Sequence, residues 1–198
     1  MNRLQRTGTL PTVWIPPGVL RDQRELPRTR MVLVRERTRL TNRIHATLAK
    51  YALTVEDVSD LFGVRGRELL AGELRHLPPH TRYATDQLLE QLAVTTHQID
   101  GFEDRMQETF EETWELVLLR TLPGVGFILG TVILLEVGDV GRFPSAAHLA
   151  AYAGTTPRVH ASGGKIRYGQ VCSDINRYLK WAFVEAGNSS CQRRLRTQ

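Results

Sequence analysis

The sequence predicts a mainly α-helical protein that contains one short β-hairpin. Apolar residues recur at helical spacing along two long stretches, and a third, strongly apolar stretch follows a glycine turn. A Ser-Gly-Gly sequence between short runs without helical spacing predicts the hairpin. The chain has 198 residues, of which 41% are hydrophobic and 24% charged. These values are typical of globular proteins and allow a buried core.

Residues 1–29 are predicted to be a junction rather than the start of a domain. Met1 to Arg6 has the composition of a helix end, and Gly8 suits a C-terminal cap. Pro16 and Pro17 then force an extended path. A helix end with no preceding core predicts that a segment is missing upstream.

Residues 30–115 are predicted to form a helical spacer. One apolar stripe belongs to a helix from about residue 26 to 53, and a second to a helix from about 81 to 115. Two long amphipathic helices so joined predict an antiparallel helical hairpin, or a coiled coil with a second copy. The stripes consist of Leu33, Leu40, Ile44, Leu48 and Tyr51, and of Leu88, Leu92, Ile99, Phe102, Met106 and Phe110.

Residues 116–198 are predicted to be a separate helical domain that begins with a glycine turn. The sequence "LPGVG", residues 122–126, lies between two helices. Its glycines permit a tight turn and leave backbone N–H groups open to a phosphate at the start of the next helix. Helix-hairpin-helix proteins bind DNA backbones in this way, which makes Gly124 and Gly126 candidate DNA contacts. The alternative is an ordinary turn that closes an apolar pair of helices.

The segment "HASGGKIRYG", residues 160–169, contains the predicted β-hairpin and the candidate nucleophile. A serine hydroxyl becomes an effective nucleophile when its proton is removed and the developing charge is stabilised. Phosphoryl transfer therefore needs cations near the phosphate oxygens, and Arg158, Lys165 and Arg167 surround Ser162. The alternative is a plain turn, because Ser-Gly-Gly is a common turn composition.

The last predicted helix opens at Ser173 or Asp174 and closes at Gly187. Its first turns would present an amide and two cations to a DNA backbone. These candidate contacts are Asn176, Arg177 and Lys180.

Charge and composition restrict the partners and cofactors. The net charge of +5 and isoelectric point of about 9.6 favour a polyanionic partner, here DNA. The acidic and histidine residues lack the spacing of a metal site, so no metal or cofactor is expected in this chain. Two cysteines make no disulfide scaffold. With no signal peptide or long apolar run, a cytoplasmic protein without membrane contact is expected.

Five segments together resemble the insertion-sequence transposases related to the Piv DNA invertases. They follow the family's order along nearly the whole chain. They are "RTGTLPTVWIPP", "RTRMVLVRERTRLTNRIHATL", "LPGVGFILGTVILLEVGDVGRF", "LAAYAGTTPRVHASGGKIRYG" and "NRYLKWAFVEAG". One departure is "CSDINRYL", where family members usually have a lysine and a glycine before Asn-Arg-Tyr-Leu.

The resemblance implies a DNA strand-transfer enzyme with two catalytic halves. In the family, a RuvC-like DEDD domain binds Mg²⁺ and a C-terminal serine attacks a DNA phosphate. Ser162 matches that serine. Some members use a guide RNA, and the long helices serve assembly into a homo-oligomer or, here, a mixed assembly with a full-length transposase. The DEDD carboxylates precede the proline-rich segment, so this chain resembles an N-terminally truncated member.

We therefore expect a DNA-binding transposase or recombinase fragment that is inactive alone because its metal-binding half is absent. One alternative is a non-catalytic helix-hairpin-helix DNA-binding module in which Ser162 is only a turn residue. Another is a coiled-coil dimerisation protein whose basic charge is incidental.

Overall fold

The computed structural model describes residues 13–56, 58–157, 159–169 and 173–196. These residues are mainly helical and include a two-stranded antiparallel sheet, which confirms the predicted fold class. The chain divides into two compact units. The terminal unit combines residues up to 25 with residues from 112 onward, and the middle unit spans residues 26–111.

The first three helices and a 3₁₀ turn come before residue 110. Helix α1 contributes residues to both units, whereas the others lie in the middle unit. The bounds are Gly18–Lys50 for α1, Val64–Glu73 for α2, Leu74–His76 for the 3₁₀ turn and Pro79–Thr109 for α3.

In the middle unit, α1 and α3 run antiparallel. At one end the Tyr51 and Thr81 hydroxyl groups share a hydrogen bond of 3.1 Å. At the other end the Arg30 guanidinium donates to Glu103 Oε1 from Nε at 2.7 Å and from Nη2 at 2.5 Å. The apolar side chains between these ends form the core of the unit. They are Leu40, Ile44, Leu48, Leu70, Leu74, Leu77 and Leu92.

The predicted bounds of the two long helices were wrong at their ends. Helix α1 starts eight residues before the predicted residue 26, and Pro27 lies inside it. Proline removes one helical hydrogen bond, but packing of the first turns can outweigh that loss. Arg24, in those first turns, is 4% exposed and donates from Nε to the Leu135 carbonyl at 2.8 Å. Helix α3 starts at Pro79, where a proline has no N–H to satisfy, and ends at Thr109.

The remaining elements lie in the terminal unit. Their bounds are Trp114–Arg120 for α4, Phe127–Val137 for α5, Val140–Arg142 for a second 3₁₀ turn, Ala146–Ala153 for α6, Val159–Ser162 for β1, Lys165–Tyr168 for β2 and Arg177–Arg196 for α7. Gly187 was wrongly predicted to end the last helix, which continues past it. A single glycine costs an exposed helix only about 1 kcal/mol.

Helix α5 is the centre of the terminal unit. It is apolar on nearly every side and most of its residues are buried, as expected for a helix inside a core. Its core partners include Ala153 at the end of α6 and Leu179 and Ala182 on α7, each of which is fully buried. None of the described helices combines the length and apolar character needed to cross a membrane.

Candidate nucleic-acid interface

The β-hairpin places Ser162 at its tip. Strand β1 ends at Ser162 and β2 begins at Lys165, and these two residues are cross-strand partners. Gly163 and Gly164 connect them with φ angles of 57° and 74°. Positive φ at both central residues is typical of a type I′ turn, whose twist matches that of a hairpin. The sequence signal for the hairpin is therefore confirmed, and it sets the surroundings of Ser162.

Side chains alternate between the two faces of the hairpin. Cross-strand partners share a face, so the pairing places Ser162, Lys165 and Arg167 on one side. Val159 and Ile166 lie on the other side, and all five residues are exposed. The Ser162 hydroxyl is therefore accessible and has a cation directly across from it. Arg158, another predicted DNA contact, lies outside the described residues.

The two glycines of the "LPGVG" turn have different surroundings. Gly124 has a φ of +82°, and a Cβ built on it would lie 2.6 Å from the Ala186 carbonyl oxygen and 2.7 Å from Ser189 Cβ. The turn is therefore pressed against α7. Gly126 is exposed, adopts an extended conformation and has no atom near the position of a Cβ. Of the two predicted contacts, Gly126 is the one whose backbone has open space beside it.

Asn176 caps α7 and binds buried groups at the same time. Its Oδ1 accepts hydrogen bonds from the backbone N–H groups of Tyr178 at 3.1 Å and Leu179 at 3.0 Å. Its Nδ2 donates to Glu136 Oε2 at 2.7 Å and to the Tyr152 hydroxyl at 3.1 Å. The amide predicted to contact a phosphate thus has partners inside the protein at both ends. An asparagine just before a helix is a capping signal, and this signal in the sequence could have predicted the role of Asn176.

Arg177 and Lys180, the other predicted contacts of this helix, lie in its first turns. Arg177 is exposed and Lys180 is half-buried. Together with Lys165 and Arg167 they supply four cationic side chains with solvent access in the terminal unit. Contact of any of them with DNA stays a prediction.

Glu136 is a buried carboxylate that was not among the candidate residues predicted from the sequence. It lies on α5 and is 1% exposed. Arg24 Nε lies 3.7 Å from Glu136 Oε2, and Arg24 Nη2 donates to the Glu136 carbonyl oxygen at 3.2 Å. A buried charge is retained only where charges and hydrogen bonds compensate its desolvation. The one signal in the sequence is an acid inside the apolar run "FILGTVILLEV".

Tyr152, which accepts a hydrogen bond from Asn176, packs in a cluster of aromatic rings around Arg142. The Arg142 guanidinium carbon lies 4.1 Å from the centre of the Trp14 ring, 4.0 Å from that of Phe143 and 4.5 Å from that of Tyr152. Arg142 Nε also donates to the Val137 carbonyl oxygen at 3.1 Å. Cation–π contacts of this kind stabilise a stacked arrangement, so the Tyr152 ring has a defined position.

The resemblance implies Mg²⁺, an ion that is held by several converging carboxylates. No group of three or more His, Cys, Asp or Glu side chains in the part of the chain that the structure describes is arranged to hold a metal ion. The described residues therefore do not fit Mg²⁺.

The terminal unit is similar in sequence to known transposases. Residues 116–198 match the Transposase IS116/IS110/IS902 family. The chain is 28% identical over 144 residues to the transposase for insertion sequence element IS1111A of Coxiella burnetii. This alignment covers 73% of this chain and 40% of that protein. The chain is 26% identical over 168 residues to the transposase for insertion sequence element IS1328 of Yersinia enterocolitica, covering 85% and 49%.

A third relative is named for a different rearrangement of DNA. The pilin gene-inverting protein of Moraxella bovis is 35% identical over 80 residues, which covers 35% of this chain and 25% of that protein. The chain thus spans less than half the length of each of these three relatives. Residues 116–198, which contain the hairpin and the "LPGVG" turn, are the part of the chain that is similar to the IS116/IS110/IS902 family of transposases.

Proposed function

We propose that this chain acts in DNA transposition or recombination through nucleophilic attack of Ser162 on a DNA phosphodiester. The observation that carries the proposal is the exposed Ser162 at the hairpin tip, directly across from Lys165 and on the same face as Arg167. Cations in this position would stabilise the negative charge that develops on the phosphate oxygens.

The proposed step exchanges one ester bond for another. A bond forms between Ser162 Oγ and phosphorus, while one phosphorus–oxygen bond to a deoxyribose breaks. The hydroxyl proton passes to solvent, and the departing deoxyribose oxygen takes up a proton from solvent. The product is a covalent protein–DNA ester that conserves the energy of the original bond and needs no oxidant or reductant.

DNA binding in this proposal uses the cations of the terminal unit. Lys165 and Arg167 would contact the phosphate backbone beside the reacting group, and Arg177 would contact it from the start of α7. The exposed backbone at Gly126 would add a contact without sequence preference. The net charge of +5 supports such a polyanionic partner.

Strand transfer in this proposal requires carboxylates from elsewhere. The resemblance implies a DEDD domain that binds Mg²⁺, and the described residues do not fit that ion. In this proposal those carboxylates belong to the DEDD domain of a full-length family member within a mixed assembly. Use of a guide RNA follows from the same resemblance.

Detection of the covalent ester tests the proposal. The full chain is mixed with DNA and with a full-length relative whose own serine has been replaced by alanine, and adducts are resolved on a denaturing gel. We expect an adduct with the mass of this chain plus DNA, and its loss in Ser162→Ala. Ser173→Ala is the matched control, because Ser173 is also exposed in the terminal unit. An adduct that persists in Ser162→Ala would overturn the proposal.

The rival function is a non-catalytic DNA-binding module. It is favoured by the α4–turn–α5 arrangement, in which Gly126 leaves the backbone open at the start of α5. This rival predicts salt-dependent DNA binding but no adduct under any of these conditions. Binding that weakens with salt, together with a persistent absence of adduct, would favour it.

A further inference from the structure

The chain that carries the hairpin leaves and re-enters the helical core at two neighbouring residues. It leaves through Tyr152 near the end of α6 and returns at Asn176 just before α7. The Asn176 backbone N–H donates to the Tyr152 carbonyl oxygen at 2.8 Å. Asn176 Nδ2 donates to the Tyr152 hydroxyl at 3.1 Å. Two hydrogen bonds therefore close the base of the segment that contains the hairpin.

Tight packing lies beside this closure. Gly154 has a φ of +67°, and a Cβ built on it would lie only 2.5 Å from Ile175 Cδ1. The segment that leaves the core at Gly154 and the segment that returns at Ile175 thus approach each other as closely as a glycine allows. Gly154 is buried, so this contact belongs to the core and not to a surface loop.

The closed base is anchored on α5. Asn176 Nδ2 donates at 2.7 Å to Glu136 Oε2, a carboxylate that is 1% exposed. A hydrogen bond to a buried charge is stronger than one between neutral groups, and its geometry is strongly constrained. The position of Asn176 is therefore tied to the most buried helix of the unit.

The hairpin side chains that the structure describes are not buried in the helical core. Ser162, Lys165, Ile166 and Tyr168 are all exposed, and an isolated two-stranded hairpin is only marginally stable in water. Its position relative to the helices is therefore set mainly at its base.

We propose that Asn176, held by Glu136 and Tyr152, is a positioning residue for Ser162. This inference rests on the proposed function. The hydrogen bonds of Asn176 to Glu136 and Tyr152 form a clamp. This clamp fixes the direction in which the hairpin leaves the core, and therefore the place that the Ser162 hydroxyl occupies beside a bound phosphate. Misplacement of a reacting group by about 1 Å can lower a rate about a hundredfold. Loss of the clamp therefore lowers the rate of adduct formation, whereas DNA affinity depends on the cations and changes little.

Exchanging the amide of Asn176 and the carboxylate of Glu136, called the reversed pair, separates the positioning role of Asn176 from its role as a helix cap. In Asn176→Asp the carboxylate still accepts from the Tyr178 and Leu179 N–H groups, but the donor to Glu136 and Tyr152 is lost. In the double variant Asn176→Asp/Glu136→Gln, the introduced glutamine donates to the introduced aspartate, which restores one amide–carboxylate hydrogen bond and keeps one negative charge near Arg24. Asn188→Asp is the matched control, because Asn188 is an exposed asparagine on the same helix.

The first measurement reports the position of the hairpin relative to α4 and does not depend on adduct formation. Spin labels are placed in the full chain at Ile166→Cys on the hairpin and Val117→Cys on α4, both exposed sites, with Cys172 and Cys191 replaced by serine. We expect a narrow distance distribution in the parent and in Asn188→Asp. Asn176→Asp should widen it at least about twofold, and the reversed pair should narrow it again. An unchanged width in Asn176→Asp would overturn the proposal.

The second measurement separates the affinity for DNA from the rate of adduct formation. We expect Asn176→Asp to lower the adduct rate at saturating DNA at least about tenfold, with a Kd within about twofold of the parent, and the reversed pair to recover most of the rate. If Asn176→Asp does not fold, the reversed pair carries the test, and a reversed pair that is folded but as slow as Ser162→Ala overturns the clamp. An adduct in Ser162→Ala would refute the proposed nucleophile, whereas the distance distributions would still test the clamp.

Discussion

Gly124 and Gly163 both have positive φ angles in turns of the terminal unit, but their surroundings differ. The φ angles are +82° and +57°. At Gly124 the backbone of α7 approaches to 2.6 Å from the position of a Cβ, whereas at Gly163 no atom lies within 4 Å of that position. The first turn needs glycine for packing and for conformation, and the second needs it for conformation alone.

This difference divides the terminal unit into a packed part and a projecting part. The packed turn belongs to the core formed by α5 and α7, where Val125 is 7% exposed and Leu179 is fully buried. The open turn leaves Ser162 accessible, and the described side chains of the hairpin are exposed. Substitutions in the first part should change the stability of the fold, and substitutions in the second should change what the fold binds or does.

The largest effect is expected for Gly124→Ala. The new Cβ would collide with the Ala186 carbonyl oxygen, and alanine would also be strained at a φ of +82°. Overpacking and the left-handed conformation together cost about 3 kcal/mol or more. Thermal unfolding followed by circular dichroism should show a clear fall in Tm. Gly126→Ala is the control and should change stability by about 1 kcal/mol or less, since that position is open. Equal falls in both variants would mean that α7 does not press on the turn.

A smaller effect, on DNA binding alone, is expected for the double variant Lys165→Ala/Arg167→Ala. Both side chains are exposed on the Ser162 face of the hairpin, so Tm should stay within about 1 °C. If each side chain contacts one phosphate, the slope of log K against log salt should fall by about 2. The control is Arg82→Ala/Arg105→Ala, which removes two exposed cations of the middle unit and should leave the slope unchanged. The same slope in both double variants would exclude the hairpin as the DNA contact.

The hairpin tip should tolerate a residue that accepts positive φ. Gly163→Asn should change Tm by less than about 1 °C, because asparagine adopts the left-handed region at little cost and no neighbour would meet its side chain. Gly163→Val should disrupt the hairpin locally, seen as loss of cross-strand nuclear Overhauser effects, while Tm again stays nearly constant. A fall in Tm as large as that of Gly124→Ala would show that the hairpin contributes to the core.

The sequence predicted the elements better than it predicted their contacts. Periodic apolar residues identified the long helices, and the Gly163-Gly164 turn identified the hairpin, because these signals arise from neighbours in the chain. The ends of the helices were less accurate, since Pro27 is tolerated where Arg24 is buried against α5. Gly187 carried a local signal for a helix end that the continuing α7 overrides.

The role of Asn176 shows why the candidate site was harder to predict than the fold. Residue type and proximity to Arg177 and Lys180 suggested a phosphate contact, and that contact stays untested. Its observed partners, Glu136 and Tyr152, lie on α5 and α6 and are brought to it only by tertiary packing. The same is true of Gly124, whose neighbour α7 follows it by some 60 residues. A single sequence without contacts cannot distinguish such a residue from a surface contact of the same type.

The smallest effect is expected at Glu115, in the first turn of α4 just before the packed turn. Hydrogen bonds from its own backbone N–H and from the Thr113 side chain lower the pKa of this exposed carboxyl group. A lowered folded-state pKa stabilises the fold above the unfolded-state value, and that stabilisation is lost as the pH falls through the folded-state pKa. Glu115→Gln should therefore lower Tm slightly at pH 7 and converge with the parent at an acid pH below the folded-state pKa, where the parent carboxyl group is protonated. A difference in Tm that is the same at both pH values would show that Glu115 acts through its shape and not its charge, and that the packed side of the unit contains no titrating contribution from α4.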